Sequence, residues 1–453
     1  MLNENCGLFA VYHKDSSFNV SAQIIEGLIA LQHRGQESAG IAVSNGENIQ
    51  TYKGMGVVND VFPKEVIKRI KGSFGIGHVK YSTNGFSNYA NAEPLTVKYK
   101  GEFFSVAHNG QIENSAFLRD LFEEKGTIFF TTSDTELIPH LLVTNLKGAP
   151  STWNPENIAK LIDKHISPSY SLLLLFKNKI IALRDRYGYR PLAICETDDA
   201  VYLASEDSAF KFFKLNNSKI REVEPGEMIE INSEGLKSYK INKNNKYRYC
   251  FFEHIYFARP DSNIYGDNVH LMREKLGELT AKEHPVEADI IVPVMDSGFS
   301  AALGYSKASG IPLELGLMRN KYIGRTFIDP DIQERKLSVR RKLSPVKEVI
   351  ENKDIVLIDD SMVRGTTMKH IVKMLKENGA KKVHIRIASP MVVNTCYWGI
   401  DIPDKKDIIG ANKSKEDIKR IVNADSLEFL SLQYLSNYLD VKVANYCFHC
   451  FQT

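Results

Sequence analysis

The stretch Asp354-Ile-Val-Leu-Ile-Asp359-Asp360-Ser361-Met-Val-Arg364-Gly365-Thr366-Thr367 decides the fold of the second half of this chain. Its apolar opening reads as a strand buried on both faces, as in a parallel sheet. The strand ends in two adjacent acids, and a Gly/Thr turn then opens a helical pattern over residues 367–378. Ligands of an open α/β sheet sit beyond the carboxyl ends of its strands. A helix start there offers free N–H groups and a positive dipole end to a phosphate. Asp359 and Asp360 can accept hydrogen bonds from ribose hydroxyls and approach Mg²⁺, which prefers carboxylate and substrate oxygens. Asp-Asp alone is commonly an acidic helix cap. The order strand, acid pair, glycine turn, helix turns it into a binding-site prediction.

Reading outward, residues 288–294 (ADIIVPV) form a second continuous apolar run, and another helical pattern covers 415–421. Strands alternating with helices predict a doubly wound α/β domain. These residues resemble the binding motif of type I phosphoribosyltransferases, which implies a pyrophosphate loop after an earlier strand. Met295-Asp296-Ser297-Gly298 fits that place, with Met295 where the family usually has Pro. By resemblance, Ser297, Asp359 and Asp360 hold Mg²⁺, and Arg364, Gly365, Thr366 and Thr367 bind the substrate phosphate. Residues 319–343 carry eight Lys/Arg against three Asp/Glu and show no period. A segment this long without structure in a compact domain is usually a lid or disordered, and an anionic substrate favours the lid.

The first half reads differently. Short β-rich runs at 7–12, 73–79, 103–107, 171–176 and 179–183 alternate with Gly and Asn turns, an α+β pattern with hairpins. Ile24, Ile25, Leu28, Ile29 and Leu31 form a helical stripe over 21–32. The polar run INKNNKYRY at 241–249 marks the domain boundary. The expected organisation is a leader at 1–5, a first domain at 6–240, a second at 250–430 and a tail at 431–453.

Cys6 starts an apolar strand, where a cysteine is commonly a small buried hydrophobe. Three further segments carry Gly beside polar residues, where backbone must approach a ligand closely. They are 31–40 (LQHRGQESAG), 77–83 (GHVKYST) and 107–110 (AHNG), the last followed by Thr132-Ser133-Asp134. Together they resemble the glutaminase domain of N-terminal-nucleophile amidotransferases, an αββα fold. The resemblance implies that Met1–Asn5 is a propeptide and Cys6 the first residue of the mature chain. A freed α-amino group has a pKa of about 7.7–8 and can serve as base to the thiol, whose free pKa is about 8.5. The family pattern further implies that Asn109 and Gly110 form the oxyanion hole. It gives Asp134 the substrate α-ammonium, and gives the α-carboxylate to the position of Lys80, normally Arg. Lys cannot make the planar bidentate contact, so a higher glutamine requirement than in an Arg version is expected. Residues 184–192 also match the family but read as a structural strand-to-turn element. His33, His78 and His108 are taken as structural.

Six cysteines sit at 6, 195, 250, 396, 447 and 450. Cys447 and Cys450 form a C-x₂-C pair, and Cys195 reads as core. Spacing leaves zinc and an iron–sulfur cluster equally open for Cys250, Cys396, Cys447 and Cys450. The whole chain is similar to one branch of the glutamine phosphoribosylpyrophosphate amidotransferases, which carries a propeptide and a [4Fe–4S] cluster. That resemblance implies the cluster, on those four cysteines, as a staple for the C-terminal tail.

The net charge of +3 over 453 residues argues against nucleic-acid or membrane partners, which need a concentrated basic surface. No run approaches the roughly 18 apolar residues of a transmembrane helix, and no signal peptide is evident. A cytoplasmic location is the default. The resemblance implies an enzyme that hydrolyses glutamine and aminates 5-phosphoribosyl 1-pyrophosphate in the first committed step of purine biosynthesis. It also implies a homotetramer under purine-nucleotide feedback. Two alternatives stand beside it: a sugar-phosphate aminating enzyme sharing the first half, against which the 354–367 motif speaks, and a non-catalytic regulator, which has no need of a glutaminase half.

Overall fold

The computed structural model describes residues 6–81, 88–213, 215, 217–241, 246–320, 343–400, 402 and 404–452. The proposed leader, and the basic segment except for Arg319, Asn320 and Leu343, lie outside the described residues.

The first domain stacks two antiparallel sheets. One runs in the order Lys219–Glu222, Ala193–Glu196, Ala200–Ala204, Gly7–His13, Phe74–Lys80, Ser38–Ser44 and Ile49–Met55. The other runs Gly235–Lys240, Glu227–Asn232, Lys179–Arg184, Tyr170–Phe176, Glu102–Gly110 and Leu95–Tyr99. The two-residue period of a strand sorts the side chains. Leu8, Ala10, Leu173 and Leu175 point between the sheets, whereas Phe9 and Val11 face the helix Ser21–Ala30. Leu172 and Leu174 face the helices Leu137–Asn145 and Pro155–His165 on the far side. The apolar run 171–176 is thus a central strand buried on both faces, and the layers are αββα as expected. The predicted helix at 21–32 stops at Ala30 and continues as the 3₁₀ turn Gln32–Arg34, which swings Arg34 inward.

The second domain is built on a parallel sheet ordered Ile290–Pro293, Asp354–Asp359, Lys382–Ile387 and Ser426–Phe429. Ile291, Val356 and Ile358 pack on the face of the helices Val269–Glu283 and Phe299–Ser309. Ile290, Val292, Ile355 and Leu357 pack toward Thr366–Glu377 and Lys415–Val422. Both faces are covered, which explains the unbroken apolar strands. The last helix, Leu432–Leu439, adds Leu435 and Leu439 to the same core. Beyond it, Tyr446–Cys447 returns to pair in parallel with Tyr249–Cys250 at the domain boundary. Among the described residues, no helix is long and apolar enough to cross a membrane.

Candidate active site

Cys6 sits immediately before its strand, buried at 8 % exposure. Its carbonyl accepts from Arg34 Nε (3.1 Å), and the strand beyond it is clamped by Leu8 N–H donating to Ser205 Oγ (2.9 Å). Asn109 Nδ2 donates to the same hydroxyl (3.4 Å), so one serine ties the strand that Cys6 leads into to the strand bearing Asn109 and Gly110. Burial pushes the Cys6 thiol up to about 11, against the lowering influence of Lys80. A thiol so raised needs a base to become a nucleophile.

The polar wall opposite Cys6 is assembled around Glu93, a residue the sequence reading passed over. Lys80 Nζ donates to Glu93 Oε1 (2.8 Å) and to Ser133 Oγ (3.3 Å). Thr135 Oγ1 donates to Glu93 Oε1 (2.9 Å), and His108 N–H donates to Glu93 Oε2 (2.8 Å). Burial would raise this carboxyl, but Lys80 above all overcomes it and brings it to about 2. Burial also drives His78 down to about 4, keeping it neutral, with Nε2 3.0 Å from the His108 carbonyl. Asp134 accepts from Ile112 N–H (2.8 Å). Its carboxyl lies below the ordinary range because His108 and that N–H more than offset its burial. Cys6, Asn109, Gly110, Lys80 and Asp134 therefore line one neighbourhood, and Ser205, Glu93 and Ser133 join them.

A second pocket, a cavity of about 310 Å³, opens at the carboxyl ends of the parallel strands. Ser297, Asp359, Asp360, Arg364, Gly365, Thr366 and Thr367 all line it, with Arg319, Arg273 and, from the first domain, His33. Gly365 takes the left-handed φ of 71° just before the helix Thr366–Glu377, a conformation that favours glycine. Burial and the mutual repulsion of Asp359 and Asp360 hold Asp359 well above the ordinary carboxyl range; burial also raises Asp360, against hydrogen bonds from Ser297 and Ser361. Arg319 pairs with Asp296 across the pocket mouth.

The two pockets meet through buried charge. Arg34 reaches Glu206 Oε1 and Glu253 Oε1 (2.8 Å to the latter), and Arg190 Nη1 reaches Glu253 Oε1 (3.1 Å). Glu206 Oε2 in turn accepts from Arg259 N–H (2.9 Å), and Arg259 lines the second pocket. Residues 184–192 thus supply Arg190 to the domain junction, a structural part as expected. At the other end of the junction Ser169 Oγ donates to Trp398 O (2.5 Å). A Cβ on Gly399, whose φ is 95°, would lie 2.9 Å from Gly110 C and 3.1 Å from Gln111 N. Gly399→Ala is therefore expected to displace Gly110. The activity that depends on the Asn109–Gly110 end of the site should fall at least about tenfold while chemistry at the second pocket falls much less, as separate steady-state assays of the two will report.

Cys250, Cys396, Cys447 and Cys450 gather at this same junction. Cys250 lies opposite Cys447 in the parallel pair. Cys450 O accepts from Val393 N–H (2.9 Å), tying the tail to the segment that carries Cys396. Burial raises the Cys450 thiol, which also feels Cys396, Cys250 and Cys447. Cys396 Sγ accepts from Trp398 N–H (3.3 Å). All are free thiols, as is the buried Cys195. Among the described residues, no group of three or more His, Cys, Asp or Glu is arranged to hold a metal ion.

A two-sheet αββα domain with Cys6 at the head of its first strand, joined to an α/β domain whose pocket is lined by Asp359, Asp360 and Gly365-Thr366-Thr367, is the architecture of a glutamine amidotransferase joined to a phosphoribosyltransferase. Family models agree: a glutamine amidotransferase domain matches residues 78–212 and a phosphoribosyl transferase domain matches 263–408. The amidophosphoribosyltransferase of Methanocaldococcus jannaschii is 44% identical over 95% of this chain and 93% of its own. That of Bacillus subtilis is 42% identical over 96% and 89%. The solved glutamine phosphoribosylpyrophosphate amidotransferase from B. subtilis, complexed with ADP and GMP, superposes with a TM-score of 0.89. It is 40% identical, over 99% of this chain and 96% of that one. The chain belongs to the amidophosphoribosyltransferase family.

Proposed function

We propose that the chain hydrolyses glutamine at Cys6 and delivers the ammonia to C1 of 5-phosphoribosyl 1-pyrophosphate, giving 5-phosphoribosylamine, glutamate and pyrophosphate. The observation that carries this reading is the pairing of Cys6 and its polar neighbours with an Asp-Asp, Gly-Thr-Thr pocket across one buried junction. Removal of Met1–Asn5 frees the α-amine of Cys6, which takes the thiol proton. The sulfur attacks the amide carbon, Asn109 Nδ2 and Gly110 N–H stabilise the oxyanion, and the proton passes to departing ammonia. Water then cleaves the thioester to glutamate. Asp134 holds the substrate ammonium and Lys80 its carboxylate.

At the second pocket Arg364, Gly365, Thr366 and Thr367 bind phosphate at the helix start. Ammonia forms a bond to C1 as the C1–O bond to pyrophosphate breaks, and the new ammonium loses one proton. Ser297, Asp359 and Asp360 are the residues that would hold Mg²⁺; two mutually repelling carboxyls with raised pKa are a donor set that a cation relieves. When bound, the ion supplies charge neutralisation for the leaving pyrophosphate. Purine nucleotides are proposed as feedback ligands and a homotetramer as the assembly. The cytoplasm is the proposed compartment.

Cys250, Cys396, Cys447 and Cys450 would hold a [4Fe–4S] cluster. Four free thiols share one locus, and Cys396, Cys447 and Cys450 receive backbone N–H donors, while no three close on a single ion among the described residues. The cluster supplies a cross-link between tail and domain junction. Anaerobically purified protein is expected to contain stoichiometric iron and sulfide, measured colorimetrically; clean zinc contradicts this. The reaction itself is tested by assaying pyrophosphate and glutamate with each substrate omitted in turn. Both products should require both substrates, apart from ammonia substituting for glutamine. Binding of the phosphoribosyl substrate without turnover would favour a regulator.

A further inference from the structure

We propose that Glu93 is a specificity-determining positioning residue of the glutamine pocket. It takes one N–H of the Lys80 ammonium and makes the pocket net negative, which weakens glutamine binding and disfavours retention of the product glutamate. The inference rests on the reading of Lys80 as the α-carboxylate partner.

An ammonium has three N–H donors. Lys80 commits one to Glu93 Oε1 (2.8 Å) and one to Ser133 Oγ (3.3 Å), leaving one for a substrate carboxylate. Glu93 is itself 1 % exposed and held by Thr135 and by the backbone of His108, next to Asn109. It therefore cannot swing away when substrate enters. Formal charge among the lysine and acids of the recognition wall is then one positive, Lys80, against two negative, Glu93 and Asp134; the rings of His78 and His108, each 3.8 Å from Glu93 and Asp134 respectively, add positive charge only when protonated. Zwitterionic glutamine meets a site that is attractive at its ammonium and almost neutral at its carboxylate. Glutamate, with one more negative charge, meets repulsion. A buried carboxylate a few ångströms from the incoming one acts through a poorly screened medium, so its charge dominates; an amide in its place keeps the acceptor for Lys80 and Thr135 and loses only the bond from His108 N–H.

Glu93 also revises the expectation for Lys80→Arg. The carboxylate of Glu93 is a ready bidentate partner for a guanidinium, so the arginine gains no fork for substrate unless Glu93 is neutralised too.

The test is glutaminase kinetics of the full chain with saturating phosphoribosyl substrate, with glutamate as competitive inhibitor. Glu93→Gln is expected to lower the glutamine KM about tenfold and the glutamate inhibition constant by more, with kcat changed less than KM. Glu93→Asp, which keeps the charge, should not lower KM. Lys80→Met should raise it. An unchanged or raised KM in Glu93→Gln, with Lys80→Met raised, overturns the role of Glu93 and leaves Lys80 as the carboxylate partner. An unchanged KM in Lys80→Met overturns both. A measurement on the unaltered enzyme guards against misfolded variants. Glutamine α-amide, which lacks the carboxylate charge, should compete within about threefold of glutamine, and a loss beyond about thirtyfold refutes the proposal.

Discussion

Cys6→Ala is expected to abolish glutamine-dependent pyrophosphate release, by on the order of 10⁴-fold or more, as loss of a covalent nucleophile does elsewhere. Ammonia-dependent release should survive within a few fold. The split follows from the geometry. Cys6 lies in the electrostatic reach of Lys80, Glu93 and Asp134, whereas the Asp359–Thr367 pocket is lined by other elements. Alanine removes the sulfur and leaves the Arg34 Nε bond to the residue-6 carbonyl and the Leu8 N–H bond to Ser205 Oγ in place, since neither uses the side chain of residue 6. Paired assays with glutamine and with ammonium at raised pH, where free ammonia is present, read the two activities. Equal loss of both would mean that Cys6 acts through the fold.

Arg34→Met is expected to destabilise the chain by roughly 3–5 kcal/mol, because it strips a cation from buried carboxylates and leaves their charge uncompensated. Glu206 and Glu253 are 0 % exposed at the side chain, as is Arg34 itself. Glu253 keeps Arg190 (3.1 Å), whereas Glu206 is left with His33 and neutral donors. The midpoint of urea unfolding should fall accordingly. Loss of the Nε bond to Cys6 O should also cost glutaminase activity in whatever fraction stays folded. A shift under about 1 kcal/mol would mean that water already reaches this junction.

Much of this was legible in the sequence. Continuous apolar runs gave the parallel sheet because covered strands need no polar face, and 354–367 marked its ligand end. Cys6, Asn109, Gly110 and Asp134 could be named as candidates because the segments that carry them resemble those of a known glutaminase family. What escaped was every partner brought in from afar. Ser205 meets Leu8 across 197 positions, and Glu253 meets Arg34 across 219. Glu93 lies only 13 positions from Lys80, yet Asn91-Ala-Glu-Pro carries no periodicity or spacing that says its carboxylate turns inward. Gly399 reads as an ordinary loop glycine until its neighbour is seen to be Gly110. Local pattern reports which residues could do chemistry. Charge compensation is set by the fold as a whole, and a buried acid is recognisable only once its cation is in view.

The central claim is that nitrogen released at Cys6 reaches the phosphoribosyl pocket across the junction. It is tested most directly by supplying [¹⁵N-amide]glutamine with phosphoribosyl pyrophosphate in the presence of unlabelled ammonium near neutral pH, then trapping the amine product for mass spectrometry. The account predicts ¹⁵N-enriched product well above the bulk isotope ratio, with glutamate and pyrophosphate formed one to one. Product carrying the bulk ratio, or glutamate accumulating without pyrophosphate, would contradict it.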